Sequence, residues 1–375
     1  MSLLFGLVAK HYVEEGDTAR FCSYPRQTPY MLFKTKFVCD EDGNYYTTFY
    51  LFNPRSEKII TITNKYYLKV SQYLRKLVLL GTSRGWQFLL RVDDSIIYLT
   101  NVYNPWSSDS STKTIALPSL LYTGELIIGS VSLSTPFPDQ DGDYIVSISV
   151  SGSKLYYCMP NRDSEWTCID IPFSCDFDSP LVYSWKDQMF YLLTTGCAYM
   201  AALDLKNNKK PSFLQIQFEN FPLIPQHEWE ILASCTRRDN IVESSSSGER
   251  FIVQWYFIPY QAAYNGNIYV LWKTKRVMVF RKEEEEDDKV LQGSKMIAYY
   301  NYTESIGDLC IFIGRNETFC LEASKYPGLR PNSIYYAGRG FGVYDISNRS
   351  AREYDLTDFP DFFGHPMCFL SPPLH

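Results

Sequence analysis

Gly81-Thr82-Ser83-Arg84-Gly85 spells G-x-S-x-G, the spacing at which serine hydrolases set their nucleophile on a strained strand-to-helix turn. The chemistry would be acyl transfer, with histidine as base and an acid to orient it. An apolar run, "KLVLL", leads into the pentapeptide, but "WQFLLR" follows it and reads as a second strand. The spacing therefore predicts a hairpin in which Gly81 and Gly85 supply backbone freedom. The chain has four histidines, His11, His227, His365 and His375, and none lies in a local catalytic pattern. The hydrolase reading is set aside.

Other residues with chemical potential reduce in the same way. Residues 337–342, "AGRGFG", resemble a phosphate loop, but such a loop must open a helix, and "FGVYDI" continues as a strand. Lys273, Lys275 and Arg276 beside Trp272 could meet an anion, although lysines commonly decorate strand edges. The ten cysteines, at 22, 39, 158, 168, 175, 197, 235, 310, 320 and 368, form no C-x-x-C. A zinc site needs paired Cys and His at close spacing. Cys158, Cys168, Cys197, Cys310 and Cys320 sit in apolar runs, which predicts reduced, buried thiols acting as small hydrophobes. Acceptor triplets for glycosylation begin at Asn301, Asn316 and Asn348, patterns short enough to arise by chance. The acid-dense segment 281–290 reads as a solvated loop, as does "VESSSSGER". No catalytic, cofactor-binding or metal-ligating residue is assigned.

Bulk properties narrow the function classes. The chain of 375 residues is 45% hydrophobic and 21% charged, a globular composition. Its 30 tyrosines and 24 phenylalanines against 8 methionines lean toward sheet. A net charge of −6 argues against nucleic acid as a main partner. No stretch approaches the roughly 20 apolar residues of a membrane span. Residues 1–27 form a degenerate organelle-targeting segment or a disordered N-terminus. Lys10 and Arg20 suit a mitochondrial transit peptide, whereas Glu14, Glu15 and Asp17 do not.

From residue 28 onward the rhythm is uniform: five to eight apolar or alternating residues, then a polar turn. Asp42-Gly43, Asp141-Gly142 and Asn265-Gly266 are among the turns. Roughly 25 such runs fall into groups of four. Each group spans about fifty residues, the length of a four-stranded blade. Residues 28–370 are therefore expected to form an all-β fold, a single β-propeller of six or seven four-stranded blades. Ring closure would have the first strand complete the last blade. The tryptophans at 86, 106, 166, 185, 229, 255 and 272 are expected to pack between blades. The best short helix is 66–77, while "EWEILAS" is read as a strand.

Longer stretches carry a family resemblance. "KLVLLGTSRGWQFLL", "SWKDQMFYLLTTG", "EWEILASCTRRDNIVES" and "IGDLCIFIGRNETFCLEASKYPGLRPNSIYY" resemble the plant family called domain of unknown function 295, in its organellar branch. That family's fold is an F-box-associated type of propeller, and the resemblance covers roughly residues 28 to 348. It implies no enzyme activity and offers no catalytic residues. Relatives carry an F-box ahead of the propeller, and 27 residues are too few for one. The expectation is a monomeric, non-enzymatic interaction scaffold in the mitochondrion, binding a protein partner on a propeller face. The alternative is a substrate-receptor propeller for a ubiquitin ligase, acting in cytoplasm or nucleus without its own F-box. A propeller enzyme with acids converging at the central channel is a third reading.

Overall fold

The computed structural model describes residues 29–39, 45–66, 77–101, 113–120, 127–138, 140, 142–207, 209–264, 267–283, 296–354 and 368–369. They form 25 strands and one α-helix. The first sheet holds β1 (Met31–Cys39), β2 (Tyr45–Asn53) and β3 (Lys58–Tyr66) together with β25 (Cys368–Phe369), in the order β25-β1-β2-β3. The second is β4 (Leu77–Ser83), β5 (Trp86–Arg91), β6 (Ile96–Thr100) and β7 (Thr114–Ser119), in sequence order. The third is β8 (Ile128–Leu133), β9 (Val146–Val150), β10 (Gly152–Cys158) and β11 (Thr167–Cys175). Short polar connections force each strand back against its predecessor, so every pairing in these three sheets is antiparallel.

An eight-stranded sheet follows. One half is β12 (Leu181–Ser184), β13 (Met189–Leu193), β14 (Tyr199–Leu203) and β15 (Ser212–Glu219). The other is β16 (Thr236–Glu243), β17 (Arg250–Tyr264), β18 (Asn267–Lys282) and β19 (Met296–Thr303). The outer strands β15 and β19 pair in parallel and join the two halves. The last sheet holds β20 (Leu309–Ile313), β21 (Phe319–Glu322), β22 (Ser333–Tyr336), β23 (Gly342–Asp345) and β24 (Ser350–Glu353). Its order, β21-β20-β22-β23-β24, includes a parallel β20–β22 pair.

The inner strands close a ring. β4 touches β8, β8 touches β12, β12 touches β16, β16 touches β21, β20 touches β25, and β25 touches β4. With the eight-stranded sheet counted as two, the described strands make six blades. Closure differs in detail from the sequence expectation: β25 supplies the inner strand of the first blade, against β1, instead of an N-terminal strand completing the last.

Alternating apolar residues on both faces of each blade give five buried layers between successive blades. Trp86, Phe88 and Val131 lie between the second and third blades. Trp255, Phe257 and Ile311 lie between the fifth and sixth. Burying such side chains contributes about 1.5–3 kcal/mol each. Trp166, Trp229 and Trp272 pack at the edges of these layers. Trp185 is more exposed, and Trp106 lies outside the described residues.

Two local readings are corrected. "EWEILAS" lies in helix α1 (Gln226–Ser234). Trp229 and Leu232, three residues apart, face the core there while Ile231 is exposed, a helical spacing that a short window does not separate from alternation. Cys168 is exposed on the outermost strand of its blade, whereas Cys158, Cys197, Cys310 and Cys320 are buried as expected. Tyr66 ends β3 and Leu77 opens β4; the anticipated helix between them lies outside the described residues, as do most of the acidic run and residues 1–27.

Candidate central-channel site

Where the inner strands converge, the channel is filled by the protein's own chain. The Arg315–Thr318 loop of the β20–β21 hairpin reaches into it and returns. The Glu317 amide donates to the Thr82 carbonyl at 2.7 Å. The Asn316 carboxamide donates to the carbonyls of Phe312 at 3.3 Å and Glu317 at 2.9 Å, and its oxygen accepts from the Phe369 amide at 3.1 Å. Thr82 Oγ1 donates to the Phe369 carbonyl at 3.2 Å. The backbones approach so closely that a Cβ on Gly81 would lie 2.9 Å from the Arg315 carbonyl oxygen. Close approach is thus the reason for glycine at position 81. Arg84 (φ 50) and Gly85 (φ 82) form the left-handed turn of the β4–β5 hairpin.

Ser83, the residue of the hydrolase-like pentapeptide, serves this plug. Its hydroxyl donates to Glu317 Oε2 and accepts from the Leu133 amide at 3.0 Å. The second carboxylate oxygen accepts from the Tyr183 amide at 3.1 Å. Burial pushes the Glu317 carboxyl above its ordinary 4.5, against the pull of Arg84 and the Ser83 bond. Arg84 is itself buried, donating to the carbonyls of Leu133 at 2.8 Å and Tyr183 at 2.9 Å, and lies 4.7 Å from the Trp185 ring centroid. A cavity of ≈40 Å³ borders Glu317 at this mouth. No histidine approaches Ser83 among the described residues; His227 is exposed on α1.

A second network braces the same mouth. The Arg250 guanidinium donates to Asp187 at 2.6 Å, Glu243 at 2.8 Å and Ser184 at 3.2 Å, and lies 4.0 Å from the Tyr191 ring. Glu243 also accepts from Ser184 Oγ at 2.6 Å and the Trp185 amide at 3.0 Å. Burial alone would raise the Asp187 carboxyl, but bonds from Arg250 and Tyr191 outweigh it and hold it low. Glu243 and Glu317 border the same ≈40 Å³ cavity, and Asp187 joins Glu243 through Arg250. Each is already occupied by a serine, an arginine or a backbone amide, which suits holding blades together.

The opposite mouth sets two arginines beside two carboxylates. Leu80, Gly129, Phe177, Asp178, Arg238 and Arg315 are among the residues lining a cavity of ≈70 Å³ there. Arg339, from the "AGRGFG" connection between β22 and β23, donates to Asp178 at 3.0 Å and lies over the rings of Trp272, Phe177 and Phe257. That connection is a hairpin, as expected. Lys273 and Lys275 are exposed, whereas Arg276 is buried and paired with Glu228 of α1 at 2.8 Å. The anticipated cluster is thereby split. Asn316 is buried in the plug, and Asn348 sits in an exposed turn.

Beyond the ring, β17 and β18 run on as a two-stranded ribbon. Phe257–Tyr264 pairs with Asn267–Thr274 past a bulge at Lys275; Phe257 and Trp272 still pack in the layer between the fifth and sixth blades, and the pairing from Tyr260 and Leu271 outward extends beyond it. Tyr260, Ile268 and Val270 are exposed on it, at 42%, 70% and 59%.

Among proteins of known family, a model described as the KIB1-4 beta-propeller matches residues 49–355. No curated protein matches the chain. Among solved structures, the chain is similar to the WD40 domain of SCAP from fission yeast, at 11% identity and a TM-score of 0.31, covering 88% of this chain and 85% of that one. It is also similar to Hsv2 of Kluyveromyces lactis, at 7% identity and a TM-score of 0.25, covering 73% and 98%.

Proposed function

Because the chain belongs to the KIB1-4 beta-propeller family, we propose that it acts as a monomeric, non-enzymatic interaction scaffold that binds a protein partner. The observation that carries this is the β17–β18 ribbon. Ile268 and Val270 share one exposed face of it outside every buried layer, and an apolar face left open suits contact with a partner. The channel acids add support, since all of Glu243, Asp187 and Glu317 are consumed by internal bonds. We place the protein in the mitochondrion, on the presequence-like Lys10 and Arg20 and the resemblance to the organellar branch. No helix among the described residues is long and apolar enough to cross a membrane.

The test is a C-terminally tagged chain, fractionated from cells beside a copy lacking residues 1–22 and beside Ile268→Glu/Val270→Glu. A mitochondrial partner retained by the parent chain and lost from the ribbon variant supports the reading. Cytosolic residence with co-purification of ligase subunits points to the receptor role instead. A partner list unchanged by the ribbon variant refutes the ribbon as the contact.

A further inference from the structure

We infer that the mouth of the channel at Arg238 and Arg315 is a binding site for a phosphate group. Both arginines line it, beside Asp178 and Glu317, and Arg339 reaches its rim through Asp178 and the Phe177 ring. Arg238 comes from β16, Arg315 from the plug and Arg339 from the β22–β23 connection, so three separate chain segments bring like charges together. Such an arrangement costs energy unless an anion is taken up.

The local bonding leaves room for one. Arg238 donates from Nη2 to the Gly314 carbonyl at 2.9 Å. Its Nε is buried without a hydrogen-bond partner, and Asp178, at 3.8 Å, is too distant to serve. A buried donor left unmade is unfavourable, and a ligand oxygen would satisfy it. Arg315 is exposed and has no ion-pair partner among the described residues. Arg339 is held over its three rings, with Asp178 fixing one edge.

The carboxylates nearby are committed to partners and leave the Arg238 Nε and Arg315 without one among the described residues. Asp178 is shared between Arg238 and Arg339. Glu317 also lines the cavity but is turned to Ser83 and Tyr183 and offset by Arg84. Asp176 is bonded to Ser179 and the Asp178 amide. Burial depresses the Arg238 guanidinium, Asp178 opposes it, and repulsion from Arg339 and Arg315 adds a smaller push downward.

Size and geometry select the ligand. A cavity of ≈70 Å³ holds about five to seven water-sized atoms at roughly 10–15 Å³ each. That admits a phosphate, with its five heavy atoms. Guanidinium forks match phosphate oxygens. The group could be the free ion or the phosphate of a phosphorylated molecule.

The experiment is isothermal titration of the full chain with inorganic phosphate, with O-phosphoserine and with acetate, at constant ionic strength. Saturable one-site binding of either phosphate compound, weakened about tenfold to a hundredfold in Arg315→Ala and partly restored in Arg315→Lys, is expected. Arg315 is solvent-exposed, so its loss leaves the fold intact, which circular dichroism checks. Tighter binding of phosphoserine assigns the site to a phosphorylated molecule, and tighter inorganic phosphate to the free ion. No saturable phosphate binding, equal binding by Arg315→Ala, or acetate binding as tightly as phosphate would overturn the assignment. The ribbon is untouched in this experiment, so its outcome is independent of the scaffold reading.

Discussion

Glu317 is the residue on which the plug depends, and its replacement separates two energies. In Glu317→Ala the Ser83 hydroxyl and the Tyr183 amide lose their acceptor. Each buried donor left unmade costs about 1–3 kcal/mol, or about 2–6 kcal/mol for both. The adjacent cavity of ≈40 Å³ has room for about three or four waters. Water can replace part of the lost bonding, and the cost should fall to about 2–3 kcal/mol. Glu317→Gln keeps an oxygen for Tyr183 and an amide that can donate to Ser83, and should cost about 1 kcal/mol at pH 5. Its cost then changes with pH. The wild-type carboxyl titrates above its ordinary 4.5 in the folded protein. Between 4.5 and that higher value the native state holds more protons than the unfolded state, so wild-type stability falls as pH rises. Glutamine does not titrate, and its penalty must shrink between pH 5 and 8. Urea denaturation at several pH values, followed by tryptophan fluorescence, measures both effects. An alanine variant costing under about 1 kcal/mol, or a glutamine penalty flat with pH, would refute the account of a buried, raised carboxyl holding the plug.

Arg250→Met should cost about 3–5 kcal/mol at neutral pH, because it strands Glu243 and Asp187. Asp187 is held low by Arg250, so its stabilising share is present above its ordinary 3.8 and lost as pH falls through the lower folded value. The gap between wild type and variant should therefore narrow below about pH 4 in acid denaturation curves; a constant gap contradicts the ion pair. Phe369→Ala should cost about 3–5 kcal/mol by denaturant midpoint, since the ring is fully buried against Phe312 in the closing blade; a cost below about 1 kcal/mol would mean that β25 does not seal the ring. Alkylation of the native protein at pH 8, mapped by peptide mass spectrometry, should label Cys168. It should spare Cys175, whose thiol burial pushes up to about 11, and Cys320, pushed to about 12. A pKa near 11 leaves about a thousandth as thiolate at that pH. Rapid labelling of Cys320 would contradict its burial.

The propeller was legible because alternation and turn chemistry are local signals, repeated often enough that single errors such as α1 did not matter. The channel was not. Ser83 and Glu317 are separated by 234 positions, and nothing near either residue announces the other. "GTSRG" stood out as a hydrolase pattern, yet its glycine answers the approach of Arg315 and its serine answers Glu317. The bonding of "GRNET" has the same origin: it joins β20 to β21 as a hairpin loop, and its partners Thr82, Tyr183 and Phe369 lie in other blades. Arg238 and Arg339 were visible only as "CTRRDN" and "AGRGFG", with no spacing that links them.

Sharing the first blade between both ends of the chain sets a delay during synthesis. Leu32 pairs with Cys368, so β1 leaves the ribosome long before its inner neighbour exists. The intervening 368 − 32 = 336 residues take roughly 15–70 s to add at about 5–20 residues per second. Through that interval one edge of β1 has unpaired backbone groups, the kind of edge that recruits other strands. The nascent chain thus passes through a long open-ring stage, in which a chaperone would meet a protein whose β25 has yet to pair with β1.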